Sequence, residues 1–300
     1  MKIKFDDIGP LFKETYKRWF AKDPFRQSAT IAYYAIFSLP ALLIIVITTA
    51  GLIFEKEAVS GQIYDEVKRV MGADTAQQVE AIVIKASKSP KTIWAGVLGI
   101  ITLLFGATGV FVELQKSLNM IWGVKAKPAK TGKGIWLFLR SRLFSFGLIL
   151  TIGFLLLTSL VLDTVLSAFS GYVKTIWSTG TMVVFHAIDL LVSFSLITVL
   201  FALMFQFLPD VKIRWKYIWT GSMLTAALFT LGRYGLGLYF GKVQPESTYG
   251  AAGSVVLILL WVSYSSMILF FGAEFTRAMT LRYRGPIQLG KHVVKIDDHK

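Results

Sequence analysis

The 300-residue sequence contains no cysteine and only three histidines. Disulfides, thiolate metal sites and cysteine nucleophiles are therefore excluded together. Two of the histidines, His292 and His299, lie in the polar C-terminal segment, and no HExxH motif or Cys/His spacing indicates a metal site. A Walker loop and a GxSxG elbow are also missing. We therefore expect a protein that is not an enzyme and that uses no cofactor or metal ion.

Acidic residues are few as well, with 18 Asp and Glu against 32 Lys and Arg, which gives a formal charge of +14. Such a balance is typical either of nucleic-acid binding or of a membrane protein with basic cytoplasmic loops. Hydrophobic residues make up 54% of the chain, more than a soluble domain of this length usually carries. The composition therefore favours a membrane protein, and we expect no nucleic-acid partner.

Six apolar runs are long enough to cross a bilayer, which takes about 20 helical residues. They predict an all-α fold, a bundle of six transmembrane helices at about residues 28–54, 92–118, 143–169, 181–208, 217–240 and 251–277. Residues 1–27 predict an amphipathic segment that lies either on the membrane surface or against the bundle itself. Residues 55–91 predict a loop with two short amphipathic helices, and residues 278–300 predict a polar tail.

The positions of Lys and Arg predict the orientation of this bundle. The N-terminal segment carries seven basic residues, the loop after span 2 carries six, and the loop after span 4 carries three. The short loops after spans 3 and 5 carry one each. We therefore expect both termini in the cytoplasm and the helical loop of residues 55–91 on the outer side.

Charged residues inside apolar spans are costly and need a partner or a wet cavity. By depth they form an outer group and an inner group: Asp163, His186, Asp189 and Arg233 outside, and Glu113, Lys116, Glu274 and Arg277 inside. Either they are charged stations along a path between helices, or they are structural pairs and side chains that reach the interface. The sequence leaves both interpretations open.

Proline and glycine positions predict how the spans bend and pack. Pro40 predicts a kink in span 1. Gly99 and Gly106 in span 2, with Gly237 and Gly241 at the end of span 5, predict close helix packing within the chain or in a homo-oligomer. Together with the charges, these features favour a transporter. The alternative is a scaffold that recruits partners through its outer helices or basic loops.

Four stretches carry a resemblance to a known family. AYYAIFSLPA at 32–41, LNMIWGV at 118–124, LPDVKIRWKYIWTGS at 208–222 and YGAAGSVVLILLWVSYSSMILFFGAEF at 249–275 resemble the YihY/BrkB family of bacterial inner-membrane proteins. The resemblance covers about residues 20–280, although the family's frequent Ser-Leu-Pro-Pro is Ser-Leu-Pro-Ala here.

The resemblance implies a location in the bacterial plasma (inner) membrane and export of a lipid or a lipid-like molecule. Together with the charges inside the spans, it favours an anionic amphiphile such as a lipid, or a small solute, as the cargo. The family was once labelled ribonuclease BN. The sequence contains no metal-ligand cluster and no catalytic His–Asp set that would support this activity. No catalytic motif comes with the family, so none is transferred to this chain.

Overall fold

The computed structural model describes residues 7–50, 109–126, 180–243 and 253–284, isolated positions between 60 and 81, and the short segments 288–289 and 293–295. Within these residues the chain is mostly helical, which confirms the predicted all-α class at that level. Most of predicted span 2 and all of predicted span 3 lie outside the described residues. The total of six spans therefore stays a prediction.

The described helices are α1 (Ile8–Phe20), α2 (Pro24–Ala50), α3 (residues 109–121), α4 (Gly180–Phe207), α5 (Trp215–Val243) and α6 (Gly253–Arg284). Two of their segments, Leu190–Phe207 in α4 and Val255–Tyr283 in α6, are long and apolar enough to cross a membrane. α6 continues past residue 277, the predicted end of span 6, and its buried Ala278 and Met279 belong to a cluster with Leu11 of α1.

Helix α1 packs against α6 from the middle of that helix towards its C-terminal end. Leu11 and Thr15 are buried, and the ring of Phe12 lies 6.3 Å from that of Phe271 and 5.3 Å from that of Phe275. The indole nitrogen of Trp19 donates a hydrogen bond to the carbonyl of Met267 at 3.2 Å. Of the two placements left open for the N-terminal segment, the structure therefore shows contact with the bundle.

A tight turn joins α1 to α2. Asp23 adopts a left-handed backbone conformation with φ 49°, and Pro24 follows as the first residue of α2, where its missing N–H costs nothing. α2 then remains helical through Pro40 to Ala50, so the predicted kink does not end the helix.

Helices α5 and α6 cross through two reciprocal glycine–threonine contacts. A Cβ atom on Gly221 would overlap Thr276, and a Cβ atom on Gly272 would overlap Thr225. The hydroxyls of Thr225 and Thr276 each donate to the carbonyl four residues earlier in their own helix, at 2.7 Å. Each glycine thus receives the threonine of the other helix, which lets the two backbones approach closely.

The described residues include four short strands, which follow α3, α4 and α6 along the chain: β1 (Val124–Ala126), β2 (Val211–Lys212), β3 (Gln288–Leu289) and β4 (Val293–Lys295). β1 pairs antiparallel with β4, and β2 pairs antiparallel with β3. The segment predicted as a polar tail therefore joins the turn after α3 to the turn after α4.

Candidate functional site

Glu274 on α6 is completely buried and is held by two cations. Lys22 Nζ lies 2.7 Å from Glu274 Oε2, and Arg277 Nη1 lies 3.3 Å from Glu274 Oε1. Lys22 Nζ also donates a hydrogen bond to the carbonyl of Ile121, the last residue of α3, at 2.8 Å. We call these four groups the Glu274 network. It connects the α1–α2 turn, the end of α3 and the middle of α6.

Local backbone geometry places each member of this network. Lys22 lies in the turn that Asp23 closes, so its long side chain can extend towards α6. Arg277 follows Glu274 by three residues, which puts both on one face of α6. Gly123 ends α3 with φ 67°, and a Cβ atom there would lie 3.3 Å from Arg277 Nη2. Glycine at this position therefore satisfies the left-handed turn and leaves room for the guanidinium.

The electrostatics of the network are unbalanced, because two cations surround one acid. Burial lowers the pKa of Lys22 from its usual 10.5, and the nearby Glu274 opposes this shift. Arg277 adds to the lowering through its positive charge. The Nε–H group of Arg277 is also buried, with no hydrogen-bond partner in the part of the chain that the structure describes. The network therefore has one excess positive charge and one unused donor.

The other predicted inner pair is separate from this network. Glu113 and Lys116 on α3 pair with each other at 3.5 Å, with side chains 24% and 67% exposed. They form an exposed pair within one helix and do not join Glu274 and Arg277. The sequence thus predicted four inner charges, of which the structure brings two into a buried site.

Arg233 is the member of the predicted outer group whose side chain the structure describes. This residue lies on α5, partly exposed, with its guanidinium carbon 5.9 Å from the centre of the Tyr234 ring. Asp163 lies outside the described residues, and for His186 and Asp189 only the helical backbone of α4 is described. Within the described chain, no three His, Asp or Glu side chains approach closely enough to hold a metal ion.

The structure describes close packing at glycines other than the four that the sequence predicted. Gly99 and Gly106 lie outside the described residues, and Gly237 and Gly241 are described only as helical backbone in α5. Besides the α5–α6 crossing, a Cβ atom on Gly232 would overlap Tyr264, and one on Gly109 would lie 2.9 Å from Tyr34 Cε1.

A second polar contact, between Asn119 and Asp210, was missed by sequence reasoning. Asn119 Nδ2 donates to Asp210 Oδ2 at 2.8 Å, and the Asp210 backbone N–H donates to Asn119 Oδ1, also at 2.8 Å. Gln115 Nε2 adds a longer bond of 3.3 Å to the same carboxylate. The signal was present, since these residues lie in or beside the LNMIWGV and LPDVKIRW stretches, but nothing in the sequence paired the two stretches.

Asn119→Ala is expected to lower the free energy of unfolding by about 1–3 kcal/mol, because it removes two partners of Asp210 at once. Gln115→Ala is the matched control, since it removes a single long bond to the same carboxylate. We expect it to cost less than about 1 kcal/mol. Denaturation in detergent, followed by circular dichroism, measures both, and equal losses would contradict the assigned importance of Asn119.

Comparison with known proteins agrees with the membrane character of these helices. A family described as "Virulence factor BrkB" matches residues 15–297. A UPF0761 membrane protein of Saccharophagus degradans is 27% identical over 277 residues, covering 92% of this chain and 60% of the relative. One from Stenotrophomonas maltophilia is 25% identical over 271 residues, covering 88% and 59%.

The chain thus spans about three fifths of the length of these curated relatives. No solved structure matches it. The family model matches nearly the whole sequence, and the relatives are named as membrane proteins. This chain is therefore a membrane protein that belongs to the BrkB virulence factor family.

Proposed function

We propose that this chain is a transporter that exports an anionic, lipid-like solute across the bacterial plasma membrane, with six spans and cytoplasmic termini. The observation that carries the proposal is the complete burial of Glu274 between Lys22 and Arg277. We propose that the Glu274 network is the inner gate of this transporter.

Three separate elements meet in the network, and this supports a gate. A buried ion pair often stabilises a fold no better than apolar residues of similar volume. Its contacts can, however, be broken and remade between two discrete arrangements of packed elements. Lys22 holds both α3 and α6 through the Ile121 carbonyl and the Glu274 carboxylate. Displacing this one side chain breaks both contacts, which are the ones that tie the α1–α2 turn to Ile121 and to Glu274.

The charge of the network supports an anionic cargo. Lys22 and Arg277 together exceed the charge of Glu274, and no described group accepts a hydrogen bond from the Arg277 Nε–H group. A buried donor without an acceptor is costly, and oxygens of a phosphate or carboxylate satisfy it well. Arg233, which the sequence places nearer the outer side, is the proposed second cationic station.

Transport in vesicles tests the proposal. Purified protein is reconstituted in phosphatidylcholine vesicles that contain fluorescent phosphatidylglycerol, and movement between leaflets is followed by chemical quenching. We expect movement with the wild-type chain and at least tenfold faster movement with Lys22→Met. Removing a charge-assisted hydrogen bond of about 1.5–3 kcal/mol shifts the equilibrium between the closed and the open gate by about tenfold or more.

Lys116→Met is the matched control, because it removes an exposed lysine from an i,i+3 pair. It should leave the rate unchanged. Arg233→Ala should abolish movement, and normal movement in that variant would remove Arg233 from the path. Equal rates for Lys22→Met and the wild type would contradict the gate. No movement in any protein, with or without a proton or sodium gradient, would contradict lipid transport.

A scaffold is the second candidate function, and exposed aromatic side chains favour it. Tyr16, Phe20 and Phe25 are 57%, 55% and 60% exposed, and they adjoin one another on α1 and the start of α2. A scaffold would yield a stable co-purifying protein that Phe20→Glu releases, while vesicles that contain the purified chain would show no lipid movement.

A further inference from the structure

A cavity of about 600 Å³ lies between the start of α5 and the last turn of α6, and its described lining contains no residue of the Glu274 network. It is lined by Arg214, Trp215, Lys216, Tyr217 and Tyr283. Two cations and three aromatic rings therefore surround one space. Its volume falls within the range of small-molecule sites, about 300–1,000 Å³.

Two of the three aromatic rings that line this cavity are held by packing or by a hydrogen bond. Tyr217 is buried and belongs to an apolar cluster with Leu11, Phe275 and Met279. The Tyr283 hydroxyl donates a hydrogen bond to Asp7 Oδ2 at 3.2 Å. Asp7 also pairs with Arg282, so its carboxylate is already engaged. These two tyrosines are therefore held in place, and the carboxylate that contacts Tyr283 is already paired.

The two cations of the cavity have no acidic partner among the described residues. Neither Arg214 nor Lys216 forms an ion pair with any acidic residue in the part of the chain that the structure describes. A guanidinium binds phosphate oxygens in a bidentate way, and an ammonium two positions along the chain adds a point charge. The cavity therefore fits a phosphate ester better than a neutral ligand.

Tryptophan positions favour a location of the cavity at the level of lipid headgroups. Trp215 and Trp219 are 45% and 38% exposed on successive turns of α5, with ring centres 6.4 Å apart. Exposed tryptophan at a span end is typical of the membrane–water interface, where one side of the ring is apolar and the other is wet. A ligand that enters here presents a phosphate to Arg214 and Lys216 and keeps its apolar part beside the tryptophans.

We propose that this cavity binds the phosphate headgroup of an anionic phospholipid. The assignment concerns binding alone and holds whether or not the chain transports lipid. The ligand chemistry, a phosphate ester, is shared by soluble glycerol phosphate, so the test must separate the two sources.

Native mass spectrometry of the full chain released from nanodiscs measures the retained lipid directly. With equal amounts of phosphatidylglycerol and phosphatidylcholine, the wild type should retain phosphatidylglycerol preferentially. One cation at a membrane surface contributes about a fivefold factor in affinity. The double variant Arg214→Gln/Lys216→Gln should therefore lose roughly 25-fold in affinity for phosphatidylglycerol. The charge-preserving variant Arg214→Lys/Lys216→Arg should stay within about fivefold of the wild type and shows that the fold tolerates changes there.

Lys13→Gln/Lys17→Gln removes two exposed cations from α1 and is the control for surface charge. It should retain the preference for phosphatidylglycerol. An equal loss in this control, or no preference in the wild type, would overturn the proposed site. Displacement of the lipid by millimolar glycerol phosphate would overturn a lipid headgroup as the ligand and assign the cavity to a soluble phosphate. Lipid movement in vesicles is measured on the same variants, so failure of transport and failure of binding are told apart.

Discussion

In Glu274→Ala the free energy of unfolding is expected to fall by about 3–5 kcal/mol, the cost of removing one partner from a buried ion pair. Lys22 and Arg277, with side chains only 21% and 13% exposed, would then be neighbouring cations with no acid between them. Unfolding in detergent micelles with a rising fraction of SDS, followed by circular dichroism, measures the loss.

Glu113→Ala is the matched control for this variant. Glu113 pairs with Lys116 at the same i,i+3 spacing and at 3.5 Å, close to the 3.3 Å between Glu274 and Arg277. Lys116 is 67% exposed, so water solvates it after the change, and the loss should stay below about 1 kcal/mol. Equal losses in Glu113→Ala and Glu274→Ala would contradict the importance of burial at Glu274.

Gly272→Ala is the second substitution with a large expected effect, at about 3 kcal/mol, the upper end of the usual cost of overpacking. The added methyl group would overlap Thr225, whose Cβ and Cγ2 lie 2.9 and 3.0 Å from the new atom. Thr225 cannot simply rotate away, because its hydroxyl is bonded to the Gly221 carbonyl inside a buried crossing. The same unfolding measurement in SDS-containing micelles reports the loss.

Two further variants distinguish steric overlap from a change in helix propensity as the cause of the stability loss. Gly235→Ala adds the same methyl group on α5 with nothing within 4 Å, so it should be neutral or stabilise the helix by up to about 1 kcal/mol. Thr225→Gly removes the overlapping atoms, and combined with Gly272→Ala it should recover part of the lost stability. If the double variant showed only the sum of the two single losses, the contact between these residues would not explain the effect.

The sequence predicts the long helices well, because hydrophobicity over about 20 consecutive residues is local information. α4 and α5 begin and end within a few residues of the predicted spans. The pairing of Glu274 with Arg277 is equally local, since residues three apart share a helix face. Lys22 belongs to the same site but lies 252 positions from Glu274, in a turn outside every span. Lys22 could therefore not be identified from the depth of charged residues within the spans.

Close contacts at glycine were harder to predict, because they depend on how each helix is rotated about its axis. Gly232 and Gly235 are three residues apart on α5, yet a Cβ atom would overlap Tyr264 at the first and meet nothing at the second. Asn119 and Asp210, separated by 91 positions, show the same limit for polar contacts. Composition and spacing identify such residues, but only tertiary packing selects the ones that touch.

The short strands also determine the order in which the protein is assembled. Val124 pairs with Lys295 and Val211 pairs with Leu289, so both turns leave the ribosome well before their partners do. Contacts between such distant positions pay a loop-closure entropy and form later than local ones. A nascent chain halted before residue 288 can have its helices inserted while the turns after α3 and α4 are still unpaired. These turns can therefore pair with the C-terminal strands only after residues 288–295 have been translated.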